Sequence, residues 1–223
     1  MFKNIKNEIL NSKPFHLKNF CDKLFSWKEL EQLLNLRPFI SNERFVVING
    51  LPEFNIPDRN WLTNKNSWPP NKIVEGITNR VCYLVDCSRV NKKINTFCGE
   101  LELLTEKPVD AHIYFDYTNK KGHSFPIHWD YADNLIVQIE GKTNFKIWNF
   151  YTDNENIRLV KSLDKSPFID VIMEPGDIIF VPAKMWHQAI SETKRLSISF
   201  PIQINSTNKE NIQEREWISL DNF

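Results

Sequence analysis

Three side chains that could bind a metal lie in the second half of the sequence. His128 and Asp130 are separated by one residue in "IHWDYADNLIVQIEG", and His187 follows in "VPAKMWHQAI". Side chains two residues apart on a strand point to the same face, so His128 and Asp130 are expected to project together. Two neutral imidazoles and one carboxylate on one side of a metal form the facial triad of non-haem Fe(II) oxygenases, which leaves positions open for co-substrate and dioxygen.

Other interpretations of these residues remain open. Zinc also accepts such ligands, with three protein groups and a water. An HxD pair alone is a weak signal, and a single histidine on an apolar strand is more often a packed core residue. The metal interpretation is favoured because a Pro175-Gly176-Asp177 corner precedes the second histidine in a β-rich region.

The second half of the chain supplies the strands that must bring these residues together. After Lys107 the sequence becomes a series of short β-rich runs: "DAHIYFDY", "NLIVQIE", "FKIWNF", "IRLVK", "IDVIM", "DIIFV", "WHQAI" and "RLSISF". About eight short strands separated by turn signals predict an antiparallel sandwich or barrel. In an eight-stranded antiparallel roll, the strand with His187 can return beside the strand with His128.

The first third of the chain predicts helices followed by irregular structure. "SWKELEQLLNL" begins with Ser26, and Glu29 follows three residues later, which is the pattern of a capping box. Prolines and asparagines dominate from Leu51 to Asn71, where we expect a long surface loop.

We therefore expect one compact domain in three parts. Residues 1–107 form a helical and mixed region that packs on the barrel, 108–204 form the jelly-roll core, and 205–223 form a helical tail. Trp217 and Ile218 in that tail could form a homodimer contact.

Composition narrows the class of protein. The 28 basic and 28 acidic residues of the 223 cancel, which argues against nucleic acid as a partner. No apolar run reaches the roughly 20 residues of a membrane helix, and the N-terminus lacks the pattern of a signal peptide. The four cysteines form no CxxC pair and no zinc-like spacing, so we expect apolar fillers in a reducing compartment, the cytoplasm.

The two motifs "HWDYADNLIVQIEG" and "EPGDIIFVPAKMWHQ" resemble those of JmjC-type cupin oxygenases that use Fe(II) and 2-oxoglutarate. Within these enzymes the chain is most similar to the ribosomal-oxygenase group of protein hydroxylases, over roughly Phe25 to Pro201. The resemblance implies a double-stranded β-helix, and it implies that His128, Asp130 and His187 bind the iron. It also implies that Asn134, Gln138 and Ser199 lie at polar positions of the site, with Asn134 and Ser199 near the co-substrate.

One position departs from the family pattern. In the family pattern, a Lys or Arg two residues after the turn glycine binds the far carboxylate of 2-oxoglutarate. The turn glycine of this chain is Gly141, and Thr143 occupies the position of the cation. Arg195 is the better candidate for the missing cation, and it shares a strand face with Ser197 and Ser199. The Arg-x-Ser pair resembles what other 2-oxoglutarate oxygenase families use for this carboxylate, and a guanidinium matches a carboxylate. A solvated Arg195 is equally compatible with the motif, and Lys142 and Lys146 are the nearest other cations. The hydroxyls of Tyr114 and Thr143 could assist the same carboxylate.

The expected function is Fe(II)- and 2-oxoglutarate-dependent hydroxylation of a C–H bond in a protein or peptide side chain, with succinate and CO2 as co-products. A free amino acid or small metabolite could be the substrate instead. A metal-binding cupin that does not use 2-oxoglutarate is the second alternative, which Thr143 makes credible. The third is a binding module that has lost turnover.

Overall fold

The structure is a computed structural model that describes residues 2–36, 44–47, 70–121, 125–151, 157 and 159–203. The tail 205–223, with its possible dimer contact, lies outside the described residues, as does most of the expected loop from Leu51 to Asn71. The boundaries drawn at 107 and 204 remain a prediction. No helix in the described ranges is long and apolar enough to cross a membrane.

Short helices precede and flank the sheets. The described helices are a 3₁₀ turn (Phe2–Ile5), α1 (Lys6–Leu10), α2 (Trp27–Leu34), α3 (Pro70–Asn79) and α4 (Lys92–Thr105). The capping box at α2 is confirmed, because Ser26 Oγ accepts from the Glu29 amide at 3.3 Å and donates to Glu29 Oε2 at 2.7 Å. The predicted C-terminal end of the loop at Asn71 is wrong, because α3 already begins at Pro70. Proline suits the first position of a helix, where no backbone donor is needed.

Twelve strands are found among the described residues. They are β1 (Phe15–Leu17), β2 (Phe45–Val47), β3 (Cys82–Leu84), β4 (His112–Asp116), β5 (Ile127–His128), β6 (Asp133–Glu140), β7 (Thr143–Tyr151), β8 (Leu159–Val160), β9 (Ile169–Met173), β10 (Ile178–Val181), β11 (Met185–Ser191) and β12 (Arg195–Ile202). Each of the eight runs predicted as strands after Lys107 overlaps one of them, and β5 lies outside these runs.

The strands form two antiparallel sheets. The larger has the order β1-β10-β6-β12-β4-β3-β2, and the smaller has the order β8-β5-β11-β7-β9. Four neighbours from each sheet, β10-β6-β12-β4 and β5-β11-β7-β9, make up an eight-stranded jelly roll. The expected fold class, a mainly β jelly roll with N-terminal helices, is therefore confirmed. The N-terminal strands β1, β2 and β3 extend the larger sheet beyond the roll.

Apolar side chains hold the layers together. The largest cluster lies between the helices and the seven-stranded sheet and includes Phe97, Ile113 and Phe200. A smaller cluster fills part of the space between the sheets, with Phe145 and Ile179 as buried members. Burial of one such side chain contributes roughly 1.5 to 3 kcal/mol. The larger cluster therefore holds the helices on the sheet, and the smaller one holds the two sheets that carry the site together.

Candidate metal centre and adjoining cavity

The two histidines lie side by side on neighbouring strands. His128 on β5 and His187 on β11 are direct Cα partners in the antiparallel pairing, and their ring centroids are 4.3 Å apart. The expectation that the later strand returns beside the first therefore holds, and it places both imidazoles on one face of the five-stranded sheet.

Both imidazoles are held in the tautomer that a metal requires. His128 Nδ1 donates to the Pro126 carbonyl at 2.9 Å, and His187 Nδ1 donates to the Met185 carbonyl at 3.0 Å. A carbonyl only accepts, so each Nδ1 carries the proton and each Nε2 keeps its lone pair. Such outer contacts also fix the orientation of a ligating ring.

Asp130 reaches the histidines by a route that the sequence did not predict. The strand assumed to carry both His128 and Asp130 ends at His128, and Asp130 lies in the connection to β6. Contacts position it instead: Asn134 Nδ2 donates to Asp130 Oδ2 at 3.1 Å, and the Lys184 amide donates to the Asp130 carbonyl at 2.7 Å. The expected convergence of the side chains is met, but through a tethered loop rather than strand alternation.

The three side chains converge in a way that fits a divalent metal. One ligand atom from each of His128, Asp130 and His187 lies within 4.8 Å of the others, and His187 Nε2 is 3.5 Å from Asp130 Oδ2. Burial, followed by the neighbouring His128, lowers the pKa of His187 to about 4, so its imidazole is neutral near pH 7. Two neutral imidazoles and one carboxylate match the facial triad.

A cavity adjoins these ligands and continues between the sheets. Its lining residues are Tyr114, Phe125, His128, Asp130, Asn134, Ile136, Phe145, His187, Ala189, Arg195, Ser197 and Ser199. The lining set includes the predicted residues Tyr114, His128, Asp130, Asn134, His187, Arg195 and Ser199. It does not include the predicted residues Gln138, Lys142, Thr143 and Lys146.

Asn134 and Ser199 form one wall of the cavity near Asp130. Ser199 Oγ donates to Asn134 Oδ1 at 3.0 Å, while the amide nitrogen of Asn134 donates to Asp130 and to the Ala132 carbonyl at 3.2 Å. Asn134 therefore connects the carboxylate of the triad to strand β12.

Thr143 and Lys142 lie beside the cavity without lining it. Thr143 is buried, and its hydroxyl donates to Gln138 Oε1 at 2.9 Å. Lys142 Nζ lies 2.5 Å from Glu174 Oε1, and both side chains are about half exposed. Lys146 likewise pairs with an exposed aspartate on the outer face of β7.

Arg195 lies at the opposite end of the cavity from the triad and is not solvated. The residue is 2% exposed, and its Nε donates to Ser191 Oγ at 2.9 Å. Burial lowers the pKa of Arg195 to about 10, while Asp116, its Cα partner on β4, favours the charged form. The guanidinium therefore stays positive at neutral pH. Because β12 directs the Arg195 side chain into the cavity, the guanidinium is placed where it could bind a carboxylate.

Several lining residues were missed by sequence reasoning. Phe145 stacks on His187 with centroids 6.0 Å apart, and Phe125 lies 5.3 Å from His128. Alternation could have found Phe145, which is two residues after Thr143 on β7, and Ile136, which is two residues after Asn134 on β6. Phe125 precedes a two-residue strand and gave no periodic signal.

The sequence and the fold both match known proteins. A profile of the JmjC domain matches residues 90–211. The bifunctional lysine-specific demethylase and histidyl-hydroxylase NO66 of Drosophila sechellia is 23% identical over 196 residues, which cover 83% of this chain and 28% of that protein. The NO66 protein of Dictyostelium discoideum is 26% identical over 132 residues, which cover 56% of this chain and 25% of that protein.

Among solved structures, the ribosomal oxygenase YcfD of Escherichia coli, in complex with cobalt and 2-oxoglutarate, matches with a TM-score of 0.59. Its sequence is 18% identical, and the match covers 92% of this chain and 52% of YcfD. The chain thus spans about a quarter of the length of the two NO66 proteins and about half of YcfD. With a profile match over more than half of its length and the jelly roll in place, the chain belongs to the JmjC domain family.

Proposed function

We propose that this chain is an Fe(II)- and 2-oxoglutarate-dependent dioxygenase that hydroxylates a C–H bond. The observation that carries the proposal is the triad: two imidazoles and one carboxylate, with one ligand atom from each within 4.8 Å of the others, facing a cavity. The JmjC domain family and the cobalt and 2-oxoglutarate in the YcfD complex support it.

The residues of this chain would hold and shield the reacting groups. His128, Asp130 and His187 would bind the iron, and the cavity between the sheets would take 2-oxoglutarate. When bound, Fe(II) with 2-oxoglutarate and dioxygen supplies the oxidant that converts a substrate C–H into C–OH, with succinate and CO2 as co-products. The apolar walls around His187 exclude water from the site, and Asn134 keeps the Asp130 carboxylate oriented.

The substrate would approach from the side of Asp130. Its side chain is 37% exposed, whereas that of His187 is 5% exposed, so the triad opens to solvent at the carboxylate. We propose a protein or peptide side chain as the substrate, because the NO66 relatives are named histidyl-hydroxylases and YcfD a ribosomal oxygenase. A free amino acid or small metabolite remains the alternative substrate class.

One observation favours a second candidate function. Thr143 occupies the position where the family pattern has the cation for 2-oxoglutarate, which would suit a metal-binding cupin that uses another co-substrate.

For location we propose the cytoplasm, since the four cysteines are buried and unpaired, as expected in a reducing compartment.

The test is anaerobic titration of the Fe(II)-loaded protein with 2-oxoglutarate, followed by the weak visible charge-transfer band of the chelate. We expect a band in the wild type and none in Asp130→Ala. Iron binding without a band would overturn the proposed oxygenase and favour the other cupin function. Binding of neither iron nor 2-oxoglutarate would indicate a module without turnover.

A further inference from the structure

The end of the cavity away from the triad contains a buried positive charge, the guanidinium of Arg195. Arg195 is 2% exposed, and its Nε is used by Ser191 Oγ. Its Nη2 is buried and has no hydrogen-bond partner in the described part of the chain. A buried guanidinium nitrogen without a partner is costly, so an anion that enters the cavity would remove that cost.

Strand pairing brings this guanidinium to the end of the barrel where Thr143 lies. Ser191, which holds Arg195 Nε, is the direct Cα partner of Thr143 between β11 and β7. Arg195 therefore reaches the same place from β12 that a residue at position 143 reaches from β7. Arg195 is thus positioned to supply from β12 the cation that β7 lacks at Thr143.

The groups around Arg195 suit the binding of a carboxylate. Ser197 and Tyr114 line the cavity beside it and offer hydroxyl groups. Asp116, the Cα partner of Arg195, offsets the cost of burying its charge. Lys142 and Lys146 cannot compete, since both pair with carboxylates outside the cavity lining.

We propose that Arg195, working from β12, binds the far carboxylate of a 2-oxo dicarboxylic acid, with Ser191 holding the guanidinium in position. This assignment rests on the proposed function. It also makes Arg195 the residue that selects a dicarboxylate over a 2-oxo monocarboxylate, because pyruvate has the iron-chelating end and lacks the group that Arg195 would bind.

The experiment measures binding of 2-oxoglutarate and of pyruvate to Fe(II)-loaded protein without oxygen, by the chelate band, together with iron affinity. Arg195→Gln removes the charge and keeps hydrogen-bonding atoms, and Arg195→Lys keeps the charge. Lys146→Met is the matched control, because it removes a cation from the outer face of β7, in the five-stranded sheet.

We expect Arg195→Gln to raise the Kd of 2-oxoglutarate roughly 10- to 100-fold, with pyruvate binding and iron affinity changed less than about 2-fold. Arg195→Lys should lie between Gln and wild type, and Lys146→Met should match wild type. Equal losses for 2-oxoglutarate and pyruvate would overturn the assignment and make Arg195 a structural residue. An unchanged Kd for 2-oxoglutarate in Arg195→Gln would overturn it as well.

A second variant tests the relocation of the cation directly. Thr143→Lys combined with Arg195→Gln returns a cation to β7, and we expect it to recover at least about 3-fold of the lost affinity for 2-oxoglutarate. A double variant no better than Arg195→Gln would contradict the shared position. Failure of the proposed function looks different: the wild type itself would bind iron and give no band with 2-oxoglutarate.

Discussion

The two ends of the cavity are built under different constraints. At the metal end, three ligand atoms must meet within 4.8 Å, and each histidine is oriented by the backbone carbonyl two residues before it. At the far end, a single buried guanidinium lies on β12, although the resemblance to JmjC-type oxygenases implies a cation on β7, where this chain has Thr143.

The difference follows from what each end must bind. A metal needs several ligands at set distances and angles, so its residues cannot be exchanged one at a time. A carboxylate needs a positive charge and a few donors, which can come from any strand whose side chain reaches the same place. The metal ligands can therefore be predicted from a sequence motif, whereas the residue that binds the carboxylate can be identified only from the three-dimensional structure.

The largest effect is expected at the metal end. Asp130→Ala removes the only carboxylate among the three grouped ligands and should lower iron affinity by on the order of 100-fold or more, which abolishes turnover. Asp170→Ala, which removes an exposed carboxylate on β9, is the control. Iron titration and succinate formation measure both. Retained turnover in Asp130→Ala with its fold intact would refute the metal assignment.

The turn that closes the far end should be the next most sensitive. Gly141 has φ +71°, and a Cβ there would lie 1.9 Å from the Lys194 carbonyl oxygen. Gly141→Ala is expected to lower the free energy of unfolding by about 2–3 kcal/mol, measured by urea denaturation. Gly176→Ala is the comparison, because its φ is also positive and its nearest contact is 3.2 Å, so a smaller loss is expected. Equal losses of unfolding free energy in the two variants would mean that the contact with the Lys194 carbonyl does not contribute to the destabilisation.

Asn134→Ala tests how far the metal end depends on its supporting contacts. Asp130 would lose the donor to Oδ2, and iron affinity should fall about 10-fold. Asn144→Ala is the matched control, since Asn144 bonds to Asp170 on the outside of the roll. Iron affinity equal in the two variants would show that the Asp130 loop holds its geometry without Asn134.

The smallest effect is expected from Ser191→Ala at the far end. Arg195 Nε would lose its hydrogen bond, and the Kd of 2-oxoglutarate should rise about 3- to 5-fold while iron affinity stays constant. Anaerobic titration of the chelate band measures the first quantity. A parallel loss of iron affinity would mean that the two ends are not independent.

Sequence reasoning predicted the jelly roll because alternating runs and turn signals are local. It identified His128, Asp130 and His187 by residue type and spacing, yet assigned Asp130 to a strand that ends two residues earlier. That error has a physical cause: a side-chain hydrogen bond and the Lys184 amide position Asp130, and neither contact has a signature in the sequence.

The far end was predictable only in part. Alternation placed Arg195, Ser197 and Ser199 on one face of β12, and all three line the cavity. The choice between a solvated and a buried Arg195 depends on which strands pair, and the Ser191–Thr143 register is set by the whole barrel. The start of helix α3 was not predicted, since proline and asparagine occur both in loops and in the first turn of a helix.

The loop position of Asp130 couples the metal to folding. His128 and His187 belong to the five-stranded sheet, while Asp130 is tied through Asn134 to β6 and through Ser199 to β12 of the seven-stranded sheet. A metal bound by all three residues would cross-link the two sheets at this end of the roll. Its binding free energy would then add to the stability of the native state, so that the melting temperature would report metal occupancy.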